Sequence, residues 1–423
     1  MKPSTWVLII LFTGLVLRVL WWGYAQPVPV SDFETYHRLA VSLFEHQQLG
    51  DPQPTAYRLP GFPIFLAAMM MISPSVEWLS LANVFLSTLL IFLVYRLAFL
   101  LTGETQVSLL AAAICALNPT FIFYSPVLAS EHLYVALLLS SLLLLLVDPL
   151  QKSGIRMWRF ILAGILYGAA ILTRGDGLSY LPLIMIVAYF SVKVSPHRYY
   201  PVLVFILSFV IIVFSWLVRN RILIGPGAGF STESGVNFYY AHNDYKYGFH
   251  PLVGTALDGL NELERHQHGY QLGFEYLTNA PVFKITRDIA WGTVRLFLAP
   301  GIYSVFWSTR LPREGDGADY PAKNLSGIIW FYLLTLTYYI LFLDALLSCF
   351  LISRYPPKTW LVLFGIVVLN WIGFSWIFWS TSRYRYVAEV VFCILGSMLI
   401  NNVAKHIAPY LKSTKFTLAS HFI

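Results

Sequence analysis

A chain of 423 residues that is 57% hydrophobic and only 12% charged, with a mean hydropathy of +0.66, is excluded from the water-soluble globular class. Its basic excess, 28 Lys and Arg against 21 Asp and Glu for a net charge of +7, lies beside the hydrophobic segments, where the positive-inside bias accounts for it without nucleic acid. Cys115, Cys349 and Cys393 all fall within apolar segments, which argues against a disulfide framework or a thiolate metal site.

Apolar runs recur at about 6–24, 78–100, 108–124, 130–147, 158–173, 177–192, 201–218, 326–350, 359–379 and 386–402. At about 20 residues per crossing, they predict an all-α polytopic membrane protein with about ten transmembrane helices. It forms a single integral membrane domain over 1–423, with both termini on one side. The first run has no small-residue cleavage site after it and reads as an uncleaved first helix. With the N-terminus inside, Lys2, Arg96, Arg156, Arg159, Lys193, Arg198, Arg354, Lys358 and Lys405 collect at the inner face. Most acids then face outward, among them Asp32, Glu34, Glu131, Asp176 and those from Glu233 to Asp319. Chemistry is expected on that outer side.

Two outer regions are long, 25–77 and 219–325. The first contains an apolar stretch, Phe62 to Ile72, too short to span and expected to lie at the interface. The second opens on Gly225, Pro226, Gly227 and Gly229 with no following Gly-Lys-Ser/Thr, so it is not a phosphate-cradling P-loop. It continues through the aromatic and polar run from Asn237 to His250 to an amphipathic stretch at 281–298, and Ile289 to Phe306 is read as non-spanning. His266 and His268, two positions apart, read as surface residues rather than a metal pair.

Five places could carry chemistry. Asp32 and Glu34, just after the first run, can act as a general base or bind a cation, or can simply open a helix with Ser31 or Asp32 as its cap. Tyr57-Arg58-Leu59-Pro60-Gly61-Phe62-Pro63 sets an arginine, whose planar fork suits phosphate, in a fixed turn. Glu131-His132 stands at a helix start near hydrocarbon, where a carboxylate needs a wet cavity or a partner. Arg174 and Asp176 read as an ion pair in a glycine turn. Arg383-Tyr384-Arg385 puts two arginines on the side where the orientation bias least expects them; they either hold an anionic headgroup or pair with acids such as Glu389. His242, Asn243 and Lys246, in the aromatic run, join Tyr57, Glu131 and His132 as candidate cleft residues.

In their order and common sidedness these features resemble the C-type (GT-C) glycosyltransferase superfamily, in particular the protein O-mannosyltransferase and lipid A aminoarabinose transferase group. The elements are Asp32, Glu34 and Tyr36; Arg58, Pro60, Gly61, Phe62 and Pro63; Glu131; Thr173 and Arg174; and Arg383, Tyr384 and Arg385. The resemblance implies inverting transfer of a sugar from a polyprenyl-phosphate donor to a lipid, glycan or protein acceptor at the outer, periplasmic face of a bacterial inner membrane. Asp32 matches the catalytic base, with Glu34 beside it, and Arg58, Arg383 and Arg385 match donor-phosphate ligands. Many relatives have adjacent acids where Phe33 here separates Asp32 from Glu34. A divalent metal on Asp32, Glu34 and Glu131 is left open.

Three other readings compete. An O-antigen ligase or polymerase would place its key residues mainly in the late outer loop. A transporter or flippase would carry ionisable residues near the bilayer midplane, where only Arg18 and Asp344 come close and both could snorkel to the interface. A membrane scaffold would leave the outward cluster of Asp32, Arg58, Glu131, Arg383 and Arg385 without a purpose.

Overall fold

A computed structural model describes residues 2–26, 28–50, 52–147, 157–192, 199–245, 256–298, 325–378 and 380–420. Where described, the ten apolar runs are helical, as they must be in a medium with no water to satisfy free backbone N–H and C=O groups. The first run is α1 (Pro3–Ala25), and the outer region after it folds as α2 (Asp32–His46) and the short α3 (Gly61–Met70). Then come α4 (Val76–Thr102), α5 (Thr105–Leu117), α6 (Pro119–Tyr124), α7 (Glu131–Leu146), α8 (Met157–Thr173), α9 (Leu181–Ser191) and α10 (Tyr199–Leu223). The second outer region supplies α11 (Glu233–Ala241), α12 (Glu262–Asn279) and α13 (Val282–Phe297). The chain ends with α14 (Leu325–Ser348), α15 (Pro357–Trp371) and α16 (Tyr386–Ser420). Helices at 3–25, 76–102, 199–223, 357–377 and 382–407 are long and apolar enough to cross a bilayer, and shorter apolar helices carry most of the other runs. The protein is a polytopic α-helical membrane protein.

Local chemistry explains the breaks. The run at 108–124 divides because Pro119 lacks an N–H; Asn118 caps α6 by accepting the Thr120 N–H at 2.9 Å. An unbroken helix would have bonded the carbonyls of Cys115 and Ala116 to residues 119 and 120. Arg18 takes both instead, at 3.2 and 3.1 Å, and also bonds Ser87 Oγ at 2.8 Å and Gly14 O at 3.0 Å. Its side chain is fully buried, so it does not snorkel to the interface as the sequence suggested. The pull of four internal acceptors, two of them orphaned by the proline, outweighs access to headgroups.

In the second outer region α12 begins with a complete capping box between Asn261 and Glu264, and α11 and α12 cross closely at Gly235 and Gly269. A side chain at Gly235 would collide with the His266 carbonyl, which is why glycine stands there. That crossing also overturns the surface reading of His266, which is 5% exposed, accepts the Gly235 N–H at Nδ1 (3.2 Å) and lies 3.1 Å from Thr232 O. The amphipathic stretch appears as α13, ending at Phe297; the later half of the Ile289 to Phe306 stretch lies outside the described residues.

Candidate functional site: an alternating chain of charges in an outer cleft

The ends of several helices converge on one cleft. Asp32 is the first residue of α2 and follows Ser31, whose backbone is left-handed at φ 53°. The Ser31 side chain makes no capping bond, and the Asp32 carboxylate accepts from Arg58 and Arg383, so neither acts as the helix cap the sequence allowed. Successive helical residues turn by about 100°, which sends Phe33 inward and Glu34 out. Phe33 is 4% exposed and lies under the Arg383 guanidinium at 5.1 Å, whereas Glu34 is exposed.

Arg58 reaches the cleft through its turn. A Cβ on Gly61 would stand 2.8 Å from Leu172 O and from Thr173 Cα, so the start of α3 can lie against the end of α8 only because residue 61 has no side chain. This contact brings Arg58 and Arg174 to one cavity. From the other side Glu262 accepts bonds from Thr55 Oγ1 (2.6 Å), the Ala56 N–H (2.9 Å) and Thr232 Oγ1 (2.6 Å). It ties the segment before Arg58 to the residue before Glu233.

Seven charged side chains then alternate in sign. Glu233 pairs with Arg58 at 2.5 Å, Arg58 with Asp32 at 2.5 Å, and Asp32 with Arg383 at 3.1 Å. Arg383 also pairs with Glu131, Glu131 with Arg174 at 3.0 Å, and Arg174 with Asp176 at 3.0 Å. Burying such charges is tolerable because each carboxylate meets a guanidinium. One Glu131 oxygen and the Arg58 Nε nonetheless remain buried without a hydrogen-bond partner. Aromatic faces complete the packing: Arg58 lies over Tyr36 and Tyr57 at 5.5 and 5.2 Å, and Arg174 over Tyr384 at 5.2 Å.

The cleft has a volume of about 140 Å³ and three chemically distinct walls: Asp32 with Arg58, Arg174 and Arg383; Glu233, Ser234 and Asn237 at the start of α11; and Phe374, Phe378 and Tyr384. Two of its carboxyls, Asp32 and Glu233, are shifted in opposite directions. Burial raises the Asp32 carboxyl, but the Arg58 and Arg383 guanidiniums outweigh it and hold the group below the usual carboxylate range. For Glu233 burial wins over Arg58, and Asp32 adds to it, so that carboxyl sits above its ordinary value. Tyr57, desolvated and close to Glu233, is pushed up to about 12.

Of the residues singled out in the sequence, Asp32, Arg58, Glu131 and Arg383 belong to this chain of charges, and Tyr57 packs on it. Others do not enter the cleft. Arg385 is buried, pairs with Glu389 at 3.0 Å and donates to Leu296 O at 3.2 Å, because one step along the turn points it away from Arg383. His132 is fully buried, with Nε2 2.6 Å from the Tyr386 hydroxyl. His242 lies between Phe238 O (2.9 Å) and Trp376 O (3.0 Å), and Asn243 donates to Tyr239 O and Tyr240 O; both are structural contacts of the end of α11. Lys246 lies outside the described residues. The proposed cation ligands diverge, since Glu34 faces out while Asp32 and Glu131 turn to arginines, and among the described residues no group of three or more His, Cys, Asp or Glu is placed to hold a metal ion. Sequence reasoning missed Glu233, which no local motif marks, named Asn237 only as the start of the aromatic run, and took Arg174–Asp176 for a turn pair when it is also the end of the line of charges.

This architecture can be set beside known proteins. Residues 53–216 match the family model described as dolichyl-phosphate-mannose-protein mannosyltransferase, a stretch that contains Arg58, Glu131 and Arg174. Among solved structures, the archaeal oligosaccharyltransferase AglB from Archaeoglobus fulgidus, in complex with an inhibitory peptide and a dolichol-phosphate, superposes with a TM-score of 0.52 at 14% identity. The chain shares that structure's fold and resembles the O-mannosyltransferase group of the C-type glycosyltransferase superfamily. That superposition covers 98% of this chain and 51% of AglB, so the chain spans about half the length of that relative. ArnT from Cupriavidus metallidurans bound to undecaprenyl phosphate gives a TM-score of 0.48 at 13% identity, over 96% of this chain and 80% of ArnT. No curated protein sequence matches the chain.

Proposed function

We propose that this C-type protein is a membrane glycosyltransferase that moves a sugar from a polyprenyl-phosphate donor to an acceptor hydroxyl or amine at the outer, periplasmic face of a bacterial inner membrane, with inversion at the anomeric carbon. The observation that carries the reading is the Asp32 carboxylate held between Arg58 and Arg383 on the wall of one cleft. A base needs to stand within hydrogen-bond reach of the proton it takes, and the charge that develops on a departing phosphate needs cations beside it. Both requirements meet here within one set of side chains.

The acceptor oxygen or nitrogen attacks the anomeric carbon from the face opposite the phosphate. The bond between that carbon and the phosphate oxygen breaks, its electrons stay on the lipid phosphate, and the acceptor proton passes to Asp32. Arg58 and Arg383, whose forks already bind oxyanions in pairs, accept the phosphate oxygens. Arriving phosphate competes with Asp32 for these donors, and the carboxylate becomes a stronger base as its arginines turn away. Glu131, 2% exposed and paired with Arg383 and Arg174, positions the second arginine. Arg385 takes no part, since its partners are Glu389 and a carbonyl. The lipid, glycan or protein nature of the acceptor follows from contacts outside this cluster.

The test is transfer from a polyprenyl-phosphate sugar by the purified full-length protein in lipid nanodiscs. Removal of a general base is worth about 10²–10⁴-fold, so Asp32→Asn should lose that much rate while still binding polyprenyl phosphate. A folded Asp32→Asn protein that transfers at the normal rate removes Asp32 from the base role.

A further inference from the structure

On the charged wall of the cleft the side chains are largely spent on one another. The α11 wall is different in kind: Glu233, Ser234 and Asn237 fall at i, i+1 and i+4, on one helical face turned to the cavity. Glu233 spends one carboxylate oxygen on Arg58, and no bond to the other is formed among the described residues. Ser234 donates its hydroxyl to Ser231 O at 2.5 Å and keeps its acceptor lone pairs. The Asn237 amide, a double donor and a double acceptor, makes no hydrogen bond among the described residues.

Aromatic side chains line the same cavity. The Phe374 and Tyr384 rings stack at 4.6 Å with 13° between their planes, and both line the cavity. Hydroxyl-binding groups from α11 and aromatic carbon lining the same cavity suit a sugar ring, whose edge carries hydroxyls and whose faces carry C–H groups. A sugar joined to a phosphate through one oxygen must sit beside whatever holds the phosphate, and this wall adjoins Arg58. The volume of about 140 Å³ is close to that at which a protein cavity accepts a single six-membered ring. The outward Glu233 oxygen disfavours a carboxylate on that ring through like-charge repulsion.

We infer that the α11 face of Glu233, Ser234 and Asn237 is the donor-sugar subsite, that Asn237 determines which hydroxyl pattern is accepted, and that the donor carries one neutral or amine-bearing monosaccharide rather than an acidic sugar. This rests on the glycosyltransferase reading above. It concerns selection, not chemistry, so its signature is a difference between donors.

The experiment measures binding to the purified full-length protein in nanodiscs by native mass spectrometry, with competition between bare undecaprenyl phosphate and undecaprenyl phosphate linked to glucose, galactose, mannose, arabinose or glucuronate. The expected result is that at least one neutral sugar lipid binds about tenfold or more tightly than the bare lipid, a gain of about 1.4 kcal/mol, and that the glucuronate lipid gains nothing. Asn237→Leu should abolish the gain while bare undecaprenyl phosphate still binds, and Asn237→Ser should restore part of it or shift it to another sugar. Equal binding of bare and sugar-bearing lipid by the native protein, or an unchanged preference in Asn237→Leu, overturns the subsite while leaving the transferase reading in place. Failure of the native protein to bind bare undecaprenyl phosphate defeats that reading itself, and the subsite with it.

Discussion

Asp32 and Arg383 are joined by an ion pair of 3.1 Å although 351 positions separate them in the chain. The pair links the first outer region to the last outer turn and so closes the cleft across nearly the whole sequence. Each partner is held by a second contact, Asp32 by Arg58 and Arg383 by Glu131. Loss of any one member therefore leaves another charge exposed to the penalty of burial.

The three arginines marked in the sequence, Arg58, Arg383 and Arg385, should separate cleanly on mutation. Arg58→Lys keeps a charge but loses the planar fork that spans Asp32 and Glu233, and a charge-assisted hydrogen bond is worth about 1.5–3 kcal/mol. Affinity for polyprenyl phosphate should fall roughly tenfold or more by that measure. Arg383→Lys should do the same. Arg385→Lys, by contrast, should lower the melting temperature through the buried Glu389 pair while the folded fraction binds the lipid phosphate normally. Calorimetry and lipid titration on the same preparations distinguish the outcomes, and an Arg385→Lys protein that is stable but fails to bind would return Arg385 to the cleft.

Gly61 should be intolerant of any side chain. Alanine there would meet Leu172 O and Thr173 Cα at 2.8 Å, and overpacking of this kind costs about 1–3 kcal/mol. The readout that goes beyond stability is lipid-phosphate affinity, which should drop because α3 can relieve the clash only by moving away from α8, carrying Arg58 from Arg174. Thermal unfolding together with the same lipid titration checks both effects.

Arg18→Met should be among the most destabilising single changes in the α1–α5 region. It leaves the carbonyls of Cys115 and Ala116 without their arginine donors at the Pro119 break, at about 1–3 kcal/mol for each unsatisfied buried group. Pro119→Ala should recover part of the loss, since an alanine N–H at that position can bond the Cys115 carbonyl again. A double-mutant cycle in detergent-solubilised protein measures the coupling, and strict additivity would contradict it.

The two cleft carboxyls should give opposite pH signatures in stability. Asp32 is held below its ordinary 3.8, so its contribution is present above that value and is lost as pH falls through its lowered pKa. Glu233 is raised above its ordinary 4.5, so its contribution is present below 4.5 and is lost as pH rises through its raised pKa. Melting temperatures of the native protein, Asp32→Asn and Glu233→Gln compared across pH should therefore show the native protein losing ground to Glu233→Gln on the alkaline side of 4.5 and to Asp32→Asn only below 3.8. Parallel curves for the native protein and Glu233→Gln would remove Glu233 from the buried network.

The sequence by itself determined the membrane class and the helices. Uninterrupted apolar runs have one solution in a bilayer, and local punctuation such as Asn118-Pro119 or Ser75 before α4 sets where helices start and stop. It also marked Asp32, Arg58, Glu131 and Arg383, because charges at the edge of hydrocarbon stand out against their surroundings. Only the tertiary structure decided which of them share a cleft. Arg383 and Arg385 look alike in sequence, but on a tight turn they face different neighbours, Asp32 and Glu131 for one and Glu389 for the other. Glu233 and Glu262 carry no local mark and gain their places from partners about two hundred positions away, Arg58 for one and Thr55 and Ala56 for the other. Periodicity and propensity act over a few residues, whereas the pairing of buried charges depends on which helix ends the packing of small residues such as Gly61 and Gly235 allows to meet.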